Sequence, residues 1–167
     1  NEKDEPYFHI YFDDSNEEAK KNYIKFNEKV SKVKVIIDLK IKSLLEMFYN
    51  CFYVEKIKFI KYNRADLTKL THMFFKCEDL IYLDITKLKT QNVTNMNGVF
   101  RECYNLTSID LSNLKTCKVK DMSNLFNSCT NLKYLDLSSF DTSNVRHMTG
   151  TFYRCLNLIE IKLSNFN

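Results

Sequence analysis

The chain repeats one pattern of 26 residues, and this period constrains its fold more than any other feature. The segment VKDMSNLFNSCTNLKYLDLSSFDTSN, residues 119–144, recurs on both sides without insertion or deletion. A fixed period of this length is typical of a solenoid, in which each repeat buries its apolar side by stacking on the next. Five copies can be aligned, and they begin at Ile41, Leu67, Val93, Val119 and Val145.

The spacing of apolar residues changes within each repeat. Repeat positions 1, 4, 8 and 11 are apolar, and spacings of three and four residues predict one face of a short helix. From position 14 the pattern is L-x-x-L-x-L, in which positions 17 and 19 are two residues apart, as in a strand. The sequence therefore predicts an α/β solenoid of five repeats. Each repeat has a short helix and a short strand, and the strands pair in parallel in one long sheet.

Residues 1–40 do not follow the repeat. The segments Tyr7–Phe12, Asn22–Glu28 and Val33–Asp38 have the composition of strands, and seven of the first 20 residues are acidic. We predict a β-structured N-terminal cap with an acidic start, because an open stack exposes its terminal apolar repeat to water. Residues 1–21 are alternatively the end of an upstream domain or linker. The predicted repeats are residues 41–66, 67–92, 93–118, 119–144 and 145–167.

The repeats resemble a known family. The copies VTNMNGVFRECYNLTSIDLSN, VKDMSNLFNSCTNLKYLDLSSFDTSN and VRHMTGTFYRCLNLIEIKLSNF are similar to the BspA-like class of leucine-rich repeats, found in surface proteins of bacteria and protists. The resemblance covers residues 41–167 and is weakest in the first repeat, which lacks the Asp-Leu-Ser core. It implies a leucine-rich-repeat solenoid, an extracellular or cell-surface location, and a function in adhesion or protein binding. It brings no catalytic residue with it.

Composition and charge narrow the classes of partner. No apolar run approaches the roughly 18 residues of a transmembrane helix, and the first residues, NEKDEPYF, are charged. We expect no membrane span in this chain. Because it begins with Asn1, we expect a processed mature protein or part of a longer one. The net charge is +4 but the lysines are scattered, which favours a solvated surface and no nucleic-acid partner.

Five of the six cysteines occupy position 11, and Cys117 lies outside that column. A spacing of 26 residues provides no C-x-x-C pair, so no metal site is predicted. Parallel side chains at rung spacing have poor geometry for disulfides, and we expect buried free thiols that pack as small apolar groups. Cys117 is predicted in a turn and is the more reactive candidate. The column contains Cys51, Cys77, Cys103, Cys129 and Cys155.

The outward positions 16 and 18 of the predicted strands form the candidate binding surface. Its aspartates either hold a cation, or form a hydrogen-bonding strip beside two tyrosines, or tie down the local backbone of a solvated face. Stacked carboxylates repel one another by roughly 1 kcal/mol at rung spacing, a cost that flanking lysines or turn hydrogen bonds could offset. We favour the solvated face. The aromatic side chains are of the kind that anchors protein interfaces. The candidate residues are Tyr82, Asp84, Ser108, Asp110, Tyr134 and Asp136.

No arrangement of residues predicts catalysis or a cofactor. The histidines His9, His72 and His147 occupy different positions, and no glycine-rich phosphate loop is present. Asn92 and Asn105 begin N-x-T sequons, which are glycosylation sites if a eukaryote secretes the chain.

Two functions therefore remain open. The first is a non-enzymatic module that binds a protein or glycan at a cell surface. The second is a structural subunit that stacks end to end on copies of itself through an open edge at Leu163 and Phe166.

Overall fold

The computed structural model describes residues 8–12, 15, 17, 33–37, 43–59 and 66–166. The chain forms two compact units, Asn1–Ile41 and Lys42–Asn167. The strands are β1 (Phe8–Phe12), β2 (Val33–Ile37), β3 (Lys56–Lys58), β4 (Tyr82–Asp84), β5 (Tyr134–Asp136) and β6 (Glu160–Lys162).

The first unit contains an antiparallel pair. β1 pairs with β2 in a register that places Phe8 opposite Ile37 and Phe12 opposite Val33. The aromatic and β-branched residues of both segments fit a pleated strand, and the strands predicted at these two places are confirmed. The third predicted strand, Asn22–Glu28, lies outside the described residues. The capping role stays a prediction.

The second unit is a stack in which each 26-residue repeat makes one turn. We call these turns rungs 1 to 5. Their described residues are 43–59 and 66, 67–92, 93–118, 119–144 and 145–166. Parallel bridges link equivalent residues of successive rungs, Ser43 to Lys69, then Asn95, Asp121 and His147. The parallel pairs β3–β4 and β5–β6 keep the same offset. Every rung therefore meets its neighbour in one constant register.

The predicted helix in each repeat is wrong. Among the described residues there is no α-helix, and the first half of each rung is a run of turns. The cause is a left-handed backbone at positions 6 and 10, because a right-handed helix needs negative φ at every residue. The residues with positive φ at position 6 are Glu46, His72, Gly98, Asn124 and Gly150, and those at position 10 are Asn50, Lys76, Glu102, Ser128 and Arg154.

The left-handed residues turn alternate backbone N–H groups out of the rung and toward the next one. In rung 3 the N–H groups of Met96, Gly98, Phe100 and Glu102 donate to carbonyl oxygens of rung 4 at 2.8–3.0 Å. Of the N–H groups between them, those of Val99 and Arg101 donate to carbonyl oxygens three residues back, and that of Asn97 donates to Oδ1 of Asn95. Positions 4, 6, 8 and 10 thus form a donor row that faces the following rung. A helix would instead use these N–H groups within the segment itself.

The predicted single long sheet is also wrong. Parallel strands pair between rungs 1 and 2 and between rungs 4 and 5, but residues 108–110 of rung 3 form no strand. The helix–strand solenoid of one continuous sheet is therefore replaced by stacked turns with two separate strand pairs. The charges of the strand residues, described below, explain where the pairing stops.

The core is a set of apolar columns that run along the stack. The phenylalanines at position 8 stack face to face, and the ring centroids of Phe100 and Phe126 are 5.2 Å apart with an interplanar angle of 16°. Offset stacking of this kind stabilises aromatic pairs beyond the area they bury. Methionine, leucine and cysteine columns flank the rings, and all are buried in rungs 2 to 4. The stacked rings are Phe48, Phe74, Phe100, Phe126 and Phe152.

A column of buried threonines follows the strand segment in rungs 2 to 4, and it consists of Thr90, Thr116 and Thr142. The hydroxyl of Thr90 donates to the carbonyl oxygen of Lys115 at 3.1 Å and accepts from its N–H at 2.7 Å. Thr116 makes the same pair of bonds to Asp141 in the next rung. Both side chains are 1% exposed, so these hydroxyls satisfy backbone groups inside the stack.

Replacing Phe100 by Ala should lower the free energy of unfolding by about 3–5 kcal/mol, because it removes a ring buried on both sides. Phe152→Ala, in rung 5, should cost less because that ring is half-buried. Urea unfolding followed by circular dichroism measures both. If both variants lost the same free energy of unfolding, the position of Phe100 in the middle of the ring stack and of Phe152 at its end would be contradicted.

Replacing Gly98 by Ala should lower the free energy of unfolding by about 1–3 kcal/mol, because the residue has positive φ. Its new Cβ would also collide with Cδ2 of the His72 ring. The double variant His72→Ala, Gly98→Ala removes the collision and keeps the backbone strain. It should therefore recover part of the loss in the same unfolding measurement, and full recovery would show that the strain is negligible.

Candidate functional site

Strand alternation fixes which side chains face outward on the sheet surface. In β4 and β5 the central residues Leu83 and Leu135 are buried, 6% and 2% exposed. The flanking Tyr82 and Tyr134 point to the opposite side and are 48% and 54% exposed. Because a strand turns successive side chains to opposite faces, the buried leucines hold the tyrosines in place.

Each predicted aspartate bonds to a residue two positions further along the chain. Oδ1 of Asp110 accepts the N–H of Ser112 at 2.9 Å and its hydroxyl at 2.7 Å. Asp84 bonds Thr86 in the same way, at 3.1 and 2.7 Å. These contacts agree with the interpretation that the carboxylates tie down the local backbone. A role for them in binding stays a prediction.

The same bonds keep the carboxylates ionised. Hydrogen bonds from the hydroxyl and N–H of Thr86 lower the pKa of Asp84, and those of Ser112 lower the pKa of Asp110. For Asp136 the N–H of Ser138 is the main cause of a lowered pKa. The three side chains are therefore negative at neutral pH.

Charge pairing coincides with strand pairing. Lys58 of β3 approaches Asp84 of β4 with Nζ and Oδ2 3.3 Å apart, and Lys162 of β6 approaches Asp136 of β5 at 3.7 Å. Asp110 lies at the equivalent position between the two acids, and no lysine in the described part of the chain pairs with it. Like charges directly opposite one another destabilise a strand pair. The sheet is therefore split at the rung where carboxylate would follow carboxylate.

Two apolar residues at repeat position 15 are exposed, which was not predicted from the sequence. Ile81 precedes Tyr82 and is 46% exposed, and Ile159, at the same repeat position in rung 5, is 71% exposed. The N–H of Ile81 bonds to Glu55 and that of Ile159 to Lys133, so both backbones are held by the preceding rung. Position 15 lies outside the period-two pattern. We define the strand face as the six predicted residues together with Ile81 and Ile159.

The predicted burial of the cysteine column is confirmed in rungs 2 to 4. Cys77, Cys103 and Cys129 are buried, Cys51 and Cys155 are half-buried, and all six cysteines are free thiols. Sγ of Cys103 donates to the carbonyl oxygen of Phe74 at 3.2 Å, three positions back in the preceding rung. Burial raises the pKa of Cys77 to about 12 and raises that of Cys103 as well. These thiols are therefore protonated and act as packing groups.

The remaining predicted residues are not gathered at the strand face. Cys117 is exposed. The Nδ2 of Asn105, which a glycan would occupy, donates to Asp79 at 3.2 Å, and Oδ1 of Asn92 accepts from Lys118 at 2.6 Å. Glycosylation of either residue stays a prediction. Leu163 and Phe166 belong to rung 5, at the end of the described stack.

The described residues form neither a metal site nor a membrane-spanning helix. No three His, Cys, Asp or Glu side chains in that part of the chain are grouped to hold a metal ion. Nor does any described segment form a helix with the length and apolarity needed to cross a bilayer. The described strand residues instead place two exposed tyrosines, Tyr82 and Tyr134, on either side of Asp110.

Residues 42–166 match the sequence family described as "Mycoplasma protein of unknown function, DUF285". This match is compatible with the resemblance of the repeats to BspA-like surface proteins. No curated protein and no solved structure shows significant similarity to the chain.

Acid should weaken the fold through the aspartate turns. Because the folded-state pKa of Asp110 is below the unfolded value of about 3.9, its contribution to stability is present above that pH and is lost as the pH falls through the folded pKa. Ser112→Ala removes the hydroxyl donor and should lose less stability than the wild type between pH 7 and pH 2.5. Urea midpoints at both pH values measure this difference.

Ser108→Ala is the matched control, because Ser108 is an exposed serine of the same rung. Its loss in acid should equal that of the wild type. If Ser112→Ala also lost as much stability in acid as the wild type, the hydrogen bond between Ser112 and Asp110 would not be the cause of the pH dependence.

Proposed function

On the premise that the chain belongs to this DUF285 family, we propose that it is a non-enzymatic protein-binding module that acts at a cell surface or outside the cell. The strand face is its binding surface. The single observation that carries the proposal is the pair of half-exposed tyrosines, Tyr82 and Tyr134, each fixed by a buried neighbour in its strand. Rigid aromatic side chains lose little conformational entropy on binding, which makes them efficient anchors.

The spacing of the anchors defines what can bind. Tyr82 and Tyr134 occupy the same repeat position two rungs apart, which is about 10 Å at the usual strand spacing. Ile81, next to Tyr82 in the chain, and Ile159 of rung 5 are exposed apolar side chains as well. A partner would meet two apolar contacts, one from each end of the strand face.

The centre between the anchors is polar and negative. Ser108 and Asp110 are exposed there, and the Asp110 carboxylate has a lowered pKa and no lysine contact among the described residues. Asp84 and Asp136 already have lysine contacts. A partner that supplies a lysine or arginine opposite Asp110, with apolar groups on either side, matches this surface best.

The proposed location rests on the resemblance of the repeats to BspA-like surface proteins, with which the family match is compatible. Adhesion would follow if the partner is itself anchored to another cell or to a matrix. A glycan is the alternative ligand, since exposed tyrosines and aspartates also suit the apolar faces and hydroxyl groups of sugars. We assign no catalytic residue and no cofactor.

Replacing Tyr82 or Tyr134 by Ala should weaken partner binding about 30-fold, the equivalent of about 2 kcal/mol, as expected for a central aromatic anchor. The free energy of unfolding should change little because both rings are half-exposed. Biolayer interferometry with the immobilised chain, against panels of purified cell-surface proteins, matrix proteins and glycans, identifies the binder and measures both variants.

Tyr153→Ala is the control for this experiment. Tyr153 is 60% exposed but lies at position 9, outside the strand face. Its replacement should leave affinity unchanged. A binder retained by the double variant Tyr82→Ala, Tyr134→Ala would show that the strand face is not the binding surface, and binding to glycans alone would replace the protein partner with a sugar.

A further inference from the structure

The segment that follows the strand positions turns its charged side chains outward along the side of the stack. Between rungs 3 and 4 the side chains of Leu114, Thr116 and Val119 are at most 1% exposed. These three residues belong to the buried columns, so the residues next to them point to solvent. The exposed cations of this stretch are Lys115, Lys118 and Lys120.

Cations of neighbouring rungs meet on this side. Lys87 and Lys89 of rung 2 are exposed, and Lys89 shares repeat position 23 with Lys115. Lys120 shares position 2 with the exposed Arg146, whose N–H donates to the carbonyl oxygen of Lys120 at 2.8 Å. We define the basic face as the exposed cations at positions 21, 23, 26 and 2 of rungs 2 to 5. They are Lys87, Lys89, Lys115, Lys118, Lys120 and Arg146.

Carboxylates do not neutralise the basic face as they do the lysines of the strand face. Among the described residues, no Asp or Glu forms an ion pair with any of its six cations. Nζ of Lys118 instead donates to the neutral amide of Asn92 at 2.6 Å. Asp141, which follows Lys115 at position 23, bonds the N–H and the hydroxyl of Ser143 at 3.0 and 2.6 Å. Like charges therefore adjoin one another on this face without compensation from described acids.

The repeat itself does not require these cations. Thr68 and Thr94 occupy position 2 in rungs 2 and 3, and Asn144 occupies position 26 in rung 4. The lysines are spread over several repeat positions, which is why they looked scattered in the sequence. The stacking of the rungs brings them together on one side.

The surroundings of the cations narrow the kind of partner. All large hydrophobic side chains that are exposed in the described residues lie at other repeat positions, as Tyr82, Tyr134 and Ile159 do. Proteins that bind single-stranded nucleic acid stack bases on aromatic side chains beside the cations, and segments that bind membrane surfaces insert apolar side chains. The basic face instead has short polar neighbours, including the exposed Asn113 and Ser139. Such neighbours suit a partner that combines negative charge with hydroxyl groups.

We propose that the basic face binds a linear acidic glycan, which carries sulfate or carboxylate groups along its length. The six cations extend from rung 2 to rung 5, about 15 Å at the usual strand spacing, so they suit a polymer better than a single small anion. Lys115, Lys118 and Lys120 lie at the centre of the face. Because this surface is separate from the strand face, the proposal does not rest on the proposed function.

The first test measures binding of the purified chain to heparin, a sulfated glycan, and to hyaluronan, a carboxylated one. Biolayer interferometry with either glycan immobilised should show binding whose logarithmic affinity falls linearly with the logarithm of salt between about 50 and 200 mM, as counterion release requires. Binding to either glycan supports the proposal, and the tighter of the two identifies the charged group. Uncharged dextran should not bind. Absence of binding to both acidic glycans at the lowest salt would overturn the proposal.

The variant in which Lys115, Lys118 and Lys120 are all replaced by Glu should bind the glycan at least ~10-fold more weakly and with a shallower salt dependence. The matched control replaces three other exposed cations by Glu, which changes the net charge equally. None of the three lies on the basic face or in a described ion pair, and they are Lys56, Lys133 and Arg154. The control should keep most of the affinity, and unchanged circular dichroism confirms that both variants fold. An equal loss in the two variants would show that net charge alone attracts the glycan and would overturn the proposal.

Other polyanions are measured under the same conditions. The wild type should bind the glycan more tightly than single-stranded poly(dT), duplex DNA or vesicles that contain phosphatidylserine. Tighter binding to DNA or to vesicles would overturn the assignment of a glycan in favour of that partner. The double variant Tyr82→Ala, Tyr134→Ala should retain glycan binding in full. Loss of binding in that variant would place the glycan on the strand face and would overturn the role of the basic face.

Discussion

The structure depends on one constraint, the left-handed backbone at two positions of every repeat. These residues turn alternate peptide groups so that their N–H groups leave the rung and enter the next one. A local segment therefore satisfies its hydrogen bonds only through a neighbour 26 residues away. The buried rings, thiols and threonine hydroxyls follow from this register, because equivalent side chains are placed directly above one another. Stability belongs to the contact between rungs more than to any single rung.

The charged side chains at position 18 then interrupt the strand pairing, which the constant backbone register would otherwise allow along the whole stack. The repeat places equivalent residues of every rung in one column, so the side chains in that column decide whether strands pair. Lysine beside aspartate accompanies pairing at both ends, and the central aspartate has aspartates on either side. The break leaves a polar centre between two tyrosines. The feature that weakens the sheet thus also creates the most distinctive part of the candidate binding surface.

The sequence predicted the period, the buried columns and the outward tyrosines, because these depend on side-chain type and spacing. It did not predict the backbone conformation, since the helices and the single long sheet are absent from the described residues. The helical spacing of Met96 and Phe100 is real, but a turn with a left-handed residue at Gly98 keeps both side chains inside the core. Glycine or asparagine at position 6 was a usable signal in three repeats, whereas Glu46 and His72 conceal it in the other two. The exposed Ile81 and Ile159 were missed, although position 15 is exposed in all five rungs and is occupied by Glu55, Thr107 and Lys133 in the other three.

The constant register also bears on how such a chain changes over evolution. Each rung meets only the rung before and the rung after it, through the same set of bonds. Recombination between two copies of the repeat in a gene would therefore add or remove a whole rung and leave every remaining junction intact. The length of the molecule can drift in steps of one repeat, while an insertion of any other size would break the donor row and the ring stack together.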